Sequence, residues 1–339
     1  MDDCEIDEPF LVFGQPCLGE EEIAEVVACL RSGWIGRGPR VTRFERDFAA
    51  YKGVDEALSV QSCSAALLLA LQAAGVGPGD EVITTPLTYC ATINAIVHSG
   101  ARPVLADVDP ATMNLSPDLV AERITANTRA IIPVHFAGRP CEMDLLGTLA
   151  ERHGLTMIED CAHAIETEYQ GRKAGTIGDF GCFSFYPTKN VTTGEGGMVL
   201  ARNAKHLETI RILSMQGMTL DAWKRFSADG IPHYAVVAAG FKYNMTDMEA
   251  ALGIHQLARV EANWLRRREI WLRYREALAE FPVSLPALPS PGTRHAYHLF
   301  PILVDARMAG IDRDGFLLRL RELRIGSAVH YLSAAEQPY

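Results

Sequence analysis

Residues 154–198 read GLTMIEDCAHAIETEYQGRKAGTIGDFGCFSFYPTKNVTTGEGGM. The apolar run Leu155-Thr156-Met157-Ile158 ends in two acids, Glu159 and Asp160, followed by Cys161-Ala162-His163. An apolar run closed by charge is the pattern of a buried parallel strand where it emerges at its carboxyl end. A second run, Cys182-Phe183-Ser184-Phe185-Tyr186, leads to Pro187-Thr188-Lys189-Asn190. Lys189 therefore stands between an aromatic strand and the glycine-rich turn Gly194-Glu195-Gly196-Gly197.

An acid at one strand end and a lysine just past another suggest shared chemistry. A partly desolvated lysine loses its proton and condenses with aldehydes. A carboxylate beside a pyridine nitrogen keeps that nitrogen protonated, which makes the ring an electron sink. Opposite charges about 4 Å apart at an effective dielectric of about 20 gain roughly 4 kcal/mol, or about three pKa units. The pair Lys189 and Asp160 thus suits pyridoxal 5'-phosphate. A solvated loop lysine and a helix-capping aspartate would explain the same two residues structurally.

The series Glu159-Asp160-x-Ala162-His163, Phe183-Ser184-Phe-x-x-x-Lys189-Asn190 and Gly194-Glu195-Gly196-Gly197 resembles the DegT/DnrJ/StrS family of sugar aminotransferases. The likeness runs from the Gly33-Trp34 stretch to His330. It implies an α/β fold, the fold type I of pyridoxal-phosphate aminotransferases, with a mainly parallel central sheet, helices on both faces and a smaller C-terminal α/β domain. It also implies catalytic roles for Lys189 and Asp160. Cys63, Ser64 and Ser184 would hold the cofactor phosphate, and Tyr89 would lie over the ring. His163 would reach the ring hydroxyl, where most of the family carries glutamine, and Gly33, Trp34 and His330 would contact the substrate. Lys242 and Asn244 would reach the cofactor site from a second subunit, because the family builds shared sites in a homodimer. Histidine at 163, with Asp221-Ala222-Trp223, Arg225 and Lys242-Tyr243-Asn244, is similar to the UDP-4-ketopentose aminotransferases that make aminoarabinose for lipid A.

The remaining chain is consistent with such a protein. A length of 339 residues with 48% hydrophobic content can bury a large core, expected as two domains sharing one site. We place a large cofactor domain at residues 1–245 and a small C-terminal domain at 246–339. A net charge of −10 argues against nucleic-acid or anionic-membrane partners. No apolar stretch reaches transmembrane length and the acidic N-terminus lacks a signal-peptide pattern, so a cytoplasmic protein is expected. The eight cysteines show no metal-ligand spacing, and no metal is expected.

Strands are read at Glu81–Thr84, Pro103–Val108, Ala130–His135, Thr156–Asp160, Cys182–Tyr186 and Gly197–Ala201, with helices such as Ser116–Ile124 and Met143–His153 between the earlier ones. That alternation predicts ligands at the strands' carboxyl ends. Val60-Gln61-Ser62-Cys63-Ser64 opens a helix expected over Ala65–Ala74, whose start suits an anion or carries a simple serine cap. His135 reads as a bonded structural histidine, and His163 is expected on a helical turn facing the same way as Asp160. Thr246-Asp247-Met248-Glu249 is a capping box. Ala296–Pro301 and Arg324–Tyr331 read as strands of the small unit, with His330 able equally to reach substrate phosphates or to face water. The family continues past the position of Tyr339, so this unit is expected to lack a final strand and helix.

The resemblance implies a transaminase that takes an amino group from an amino acid, L-glutamate in the family, and passes it to a keto group, at C4, of a nucleotide-linked sugar. Lipopolysaccharide or antibiotic sugars are the products it suggests. A sugar dehydratase of the same family would carry histidine in place of Lys189. A catalytically silent pyridoxal-phosphate-binding protein of this fold is the other alternative.

Overall fold

A computed structural model describes residues 9–219 and 235–339 of the chain. The run Asp221-Ala222-Trp223 with Arg225, part of the aminoarabinose likeness, lies outside the described residues. Seven strands form the central sheet: β1 Leu58–Val60, β2 Glu81–Thr84, β3 Arg102–Leu105, β4 Thr128–Ile132, β5 Thr156–Asp160, β8 Phe180–Ser184 and β9 Gly197–Ala201, in the spatial order β1-β9-β8-β5-β4-β2-β3. Two short strands, β6 Glu168–Tyr169 and β7 Arg172–Lys173, pair outside this sheet. Neighbours from β8 to β3 run parallel. β9 is antiparallel to both β8 and β1, so it is the one reversed strand of the sheet. The expected mainly parallel α/β architecture is what the chain forms.

The continuous apolar strand runs follow from covering the sheet on both faces. Along β8, Phe180 and Cys182 join one core with Ala66, Leu67 and Leu71. Phe183 and the following Phe185 join another with Phe44 and Phe48, so neighbours alternate between faces as a strand requires. Phe48 lies 5.0 Å from Phe183 and 5.8 Å from Phe185 between ring centroids, edge to face. Parallel strands need crossovers, which the intervening helices supply. Between β8 and β9 there is no helix, and this is why β9 turns back.

Strand boundaries differ modestly from expectation. The third strand closes at Leu105, the fourth at Ile132 and the aromatic strand at Ser184, each before the predicted end. The two C-terminal strands are a correction. Ala296–Pro301 is irregular because the amides of Ala296, His298 and Leu299 bond to the carbonyls of Gly138 and Ala137, while Tyr297 has φ 52°. In Arg324–Tyr331 the Ile325 amide bonds to Leu320 O and the Gly326 amide to Leu11 O. Neither segment presents a free strand edge. The capping box at Thr246 is present, opening the helix Asp247–Ala258.

Glu159 ties β5 to the loop before β8. It is fully buried; Oε1 accepts from the Ile177 and Gly178 amides at 2.8 and 2.7 Å, and Oε2 from Gly175 at 2.8 Å. His135 Nδ1 accepts from the Cys141 amide at 3.1 Å, so its proton sits on Nε2, which donates to Glu159 at 2.9 Å. His135 is thus structural, as read. With Cys161 these residues form a buried cluster of metal-ligand types that sequence spacing did not show, but both carboxylate oxygens already accept protein donors.

Burial would raise the pKa of Glu159, yet His135 and the amides of Gly178 and Gly175 outweigh it and hold it below 4.5. Its contribution is therefore present above that pH and lost as pH falls through the depressed value. Glu159→Gln sets an amide against these donors and should cost roughly 3 kcal/mol at neutral pH. Urea titrations across pH 3–7 should show a flatter acid limb in the variant; an unchanged stability would contradict this role.

Candidate active site

The carboxyl edge of the sheet gathers residues far apart in the chain. Asp160 ends β5 and is almost fully buried. Thr92 Oγ1, on the helix Cys90–Ser99, donates to its Oδ2 at 2.8 Å, and the Ala162 amide donates to Oδ1 at 3.1 Å. Thr88 and Thr92 share a further hydroxyl bond of 2.8 Å. No helix follows Asp160: residues 161–166 form a turn. His163 still reaches the same wall, held by the backbone of Ala137 rather than by helical spacing.

Lys189 follows β8 in a turn whose amide bonds to Tyr186 O at 2.9 Å. Burial lowers its pKa, against the pull of Cys63 and Asp160. Burial raises the pKa of Asp160, against Thr92, Ala162 and Lys189. The two side chains feel each other's charge, yet they form no ion pair within 4.0 Å. Lys189 is half-buried and Asp160 almost fully buried, so neither charge is neutralised by direct contact with the other. Desolvation drives both toward their neutral forms, the state in which a lysine is nucleophilic.

His163 is buried; its Nδ1 accepts from the Ala137 amide at 3.2 Å and Nε2 meets the Tyr331 hydroxyl at 3.0 Å. Burial, with the charges of His298, Lys189 and His330, lowers its pKa well below the usual value. The neutral ring thus carries its proton on Nε2 and donates outward. His330 packs on Phe13 at 5.4 Å and lies 6.4 Å from His163 between ring centroids. His330 is half-buried beside His163, and its substrate contact remains a proposal.

The helix Cys63–Ala73 starts at this edge, two residues earlier than expected, and Ser62 Oγ accepts the Ala65 amide at 3.1 Å as its cap. Cys63 is buried and Ser64 exposed. The glycine turn has a physical reason: a Cβ on Gly197 would stand 2.5 Å from the Ser62 carbonyl carbon, so only glycine lets the helix start come this close. Ser184 is buried, its hydroxyl accepting from the Tyr186 amide at 3.4 Å. Tyr89 is 61% exposed and lies 6.0 Å from the Tyr331 ring.

Lys242 and Asn244 bond to one another, and Asn244 bridges to Val60 beside the helix start. Gly33 has φ 74° and Trp34 donates from Nε1 to Arg37 O at 3.0 Å. Arg37 reaches Ser59 and pairs with Glu45 at 2.9 Å. This loop therefore stands beside β1. Thr92, Asn190, His298 and Tyr331 belong to the wall without having been assigned a role from sequence. Thr92, three residues after Tyr89, gave only helical spacing as a signal; His298 and Tyr331 were read as strand residues.

A mainly parallel sheet with a lysine and an aspartate at its carboxyl edge fits the fold type I of pyridoxal-phosphate enzymes. Residues 16–339 match the DegT/DnrJ/EryC1/StrS aminotransferase family, and the chain belongs to that family. It is 46% identical over 331 residues to the spore coat polysaccharide biosynthesis protein SpsC of Bacillus subtilis, covering 97% of this chain and 85% of SpsC. Spr1654 of Streptococcus pneumoniae, assigned as a sugar aminotransferase, superposes in its PMP form with a TM-score of 0.90 at 34% identity, covering 97% of this chain and 87% of Spr1654. DesI, solved in the presence of its TDP-sugar product, has a TM-score of 0.86 at 32% identity, covering 98% of this chain and 82% of DesI. The chain is accordingly a pyridoxal-phosphate-dependent aminotransferase that acts on sugars.

The residues present fit the cofactor: an amine, an acid and a helix start lie at one edge of the sheet, and the two charges form no ion pair with each other. Thr92→Val removes a donor from Asp160 and disfavours its charged form. We expect cofactor affinity to fall about tenfold, the equivalent of one charged hydrogen bond. Equilibrium dialysis against pyridoxal phosphate measures this, and an unchanged dissociation constant would contradict the assignment.

Proposed function

We propose that the chain transfers an amino group from L-glutamate to a keto group, at C4, of a nucleotide-linked sugar. The observation that carries this reading is the pair Lys189 and Asp160, a half-buried amine and a buried acid that feel each other's charge without forming an ion pair. The neighbour solved with a TDP-sugar product supports a nucleotide-linked substrate. Lipopolysaccharide and antibiotic sugars remain our reading of the product class.

When bound, pyridoxal phosphate supplies an electron sink for negative charge at the donor carbon. Asp160 would keep the ring nitrogen protonated, and Lys189 would hold the cofactor and serve as the proton carrier at the donor carbon. Cys63, Ser64 and Ser184 hold the phosphate at the helix start, with Lys242 and Asn244 contributing from the partner of a homodimer. Tyr89 would cover the ring face, and the His163 Nε2 proton, which meets the Tyr331 hydroxyl here, would turn to the ring oxygen. Gly33, Trp34 and His330 contact the sugar nucleotide. We assign residues 1–245 to a cofactor domain and 246–339 to a small domain, and place the protein in the cytoplasm. Among the described residues no helix is long and apolar enough to cross a membrane.

Lys189→Ala should abolish the visible band of the lysine-bound cofactor and the attachment that borohydride makes permanent. Normal amino exchange by that variant would refute the role. Asp160→Asn should retain some cofactor but lose about a thousandfold in turnover, the scale of a lost electrostatic stabiliser. Mixing the pyridoxamine-loaded protein with UDP- and TDP-linked 4-keto sugars should restore the band. If neither class does so, the substrate reading is wrong.

A further inference from the structure

Beside Lys189 runs a chain of part-buried polar contacts that the roles above do not use. Glu166 is almost fully buried and pairs with Arg267 from the helix Val260–Ala277. Its other oxygen accepts from Asn190 Nδ2 at 2.8 Å, and Asn190 Oδ1 lies 2.8 Å from His298 Nδ1. Asn190 is the residue directly after Lys189.

The direction of these bonds can be worked out. A carboxylate only accepts, so Asn190 must give its amide protons to Glu166 and offer its oxygen to His298. His298 therefore carries its proton on Nδ1. Burial, with the charges of Lys189, Arg267 and His330, keeps the ring neutral, which leaves Nε2 with a bare lone pair. That atom has no protein partner among the described residues, and the ring keeps partial exposure. It stands against His163, with ring centroids 4.5 Å apart.

We propose that Glu166, Asn190 and His298 form a relay that fixes His298 as a proton acceptor for a hydroxyl group of the sugar substrate. This rests on the sugar-aminotransferase reading. A neutral acceptor facing the site disfavours the carboxylate of an amino-acid donor, which needs hydrogen-bond donors, and suits a hydroxyl that can give a proton. The relay therefore acts in the sugar half of the reaction and discriminates between the two substrates that share one cavity.

The relay can be tested without substrate, by nitrogen NMR of the cofactor-loaded, histidine-labelled chain. One neutral histidine with its proton on Nδ1 should vanish from the spectrum of His298→Asn. Asn190→Asp, which still accepts from Nδ1, should keep that tautomer, whereas Asn190→Leu and Glu166→Gln should redistribute the proton. A proton on Nε2 in the parent chain would overturn the relay. The substrate contact is tested by following cofactor absorbance in single half-reactions. With a TDP-linked 4-keto sugar, His298→Asn keeps the Nδ1-side donor but lacks the acceptor, and should react about tenfold more slowly. Its half-reaction with glutamate should slow severalfold less than the sugar half, and His298→Gln should recover part of the loss. Equal slowing of both halves, or of neither, would overturn the contact. The parent chain's glutamate half-reaction, run alongside, reports separately on the aminotransferase reading.

Discussion

The structure depends on keeping two opposite charges apart in a space where water would otherwise separate them. Lys189 and Asp160 are each pushed toward neutrality by burial and drawn back by the other's charge. Alone, such a pair would collapse into contact or lose its ionisation. Here Thr92 and the Ala162 amide hold Asp160 from its far side, while the turn after β8 fixes the lysine. An aromatic cation with an aldehyde at its opposite end satisfies both groups at once.

The edge that carries them is built around the reversed strand β9. Its first residue, Gly197, pairs with both Val60 and Ser184, so the ends of β1 and β8 flank the entrance of a strand running the other way. The missing side chain at Gly197 lets the start of the helix Cys63–Ala73 lie against it. The same economy of space appears behind the sheet. Lys52 is buried with its ammonium donating to the carbonyls of Ile165 and Ala174, each at 2.8 Å. Burial lowers its pKa to about 8. Together with Glu159, it holds the segment between β5 and β8 by charge on backbone, leaving Asp160 and His163 to face the cavity.

Much of this was legible in the sequence because it is local. An apolar run ended by charge marked β5, an aromatic run marked β8, and the capping box at Thr246 marked its helix. The reversal of the strand at Gly197 was not read from sequence, although no helix precedes it. Contacts set by topology were not legible. Thr92 meets Asp160 across 68 positions, and His298 meets Asn190 across 108. Ala296–Pro301 had strand-like composition, but its amides wrap the turn at Ala137 and Gly138 instead of pairing in a sheet. Composition records which residues can be buried; it does not record which carbonyl an amide will find.

The most direct measurement is nitrogen NMR of the protein loaded with pyridoxal phosphate labelled at its ring nitrogen. The account predicts a protonated ring nitrogen at neutral pH, its proton lost when Asp160 becomes asparagine. An unprotonated nitrogen in the parent chain, with Asp160 in place, would contradict the pairing on which the site is built.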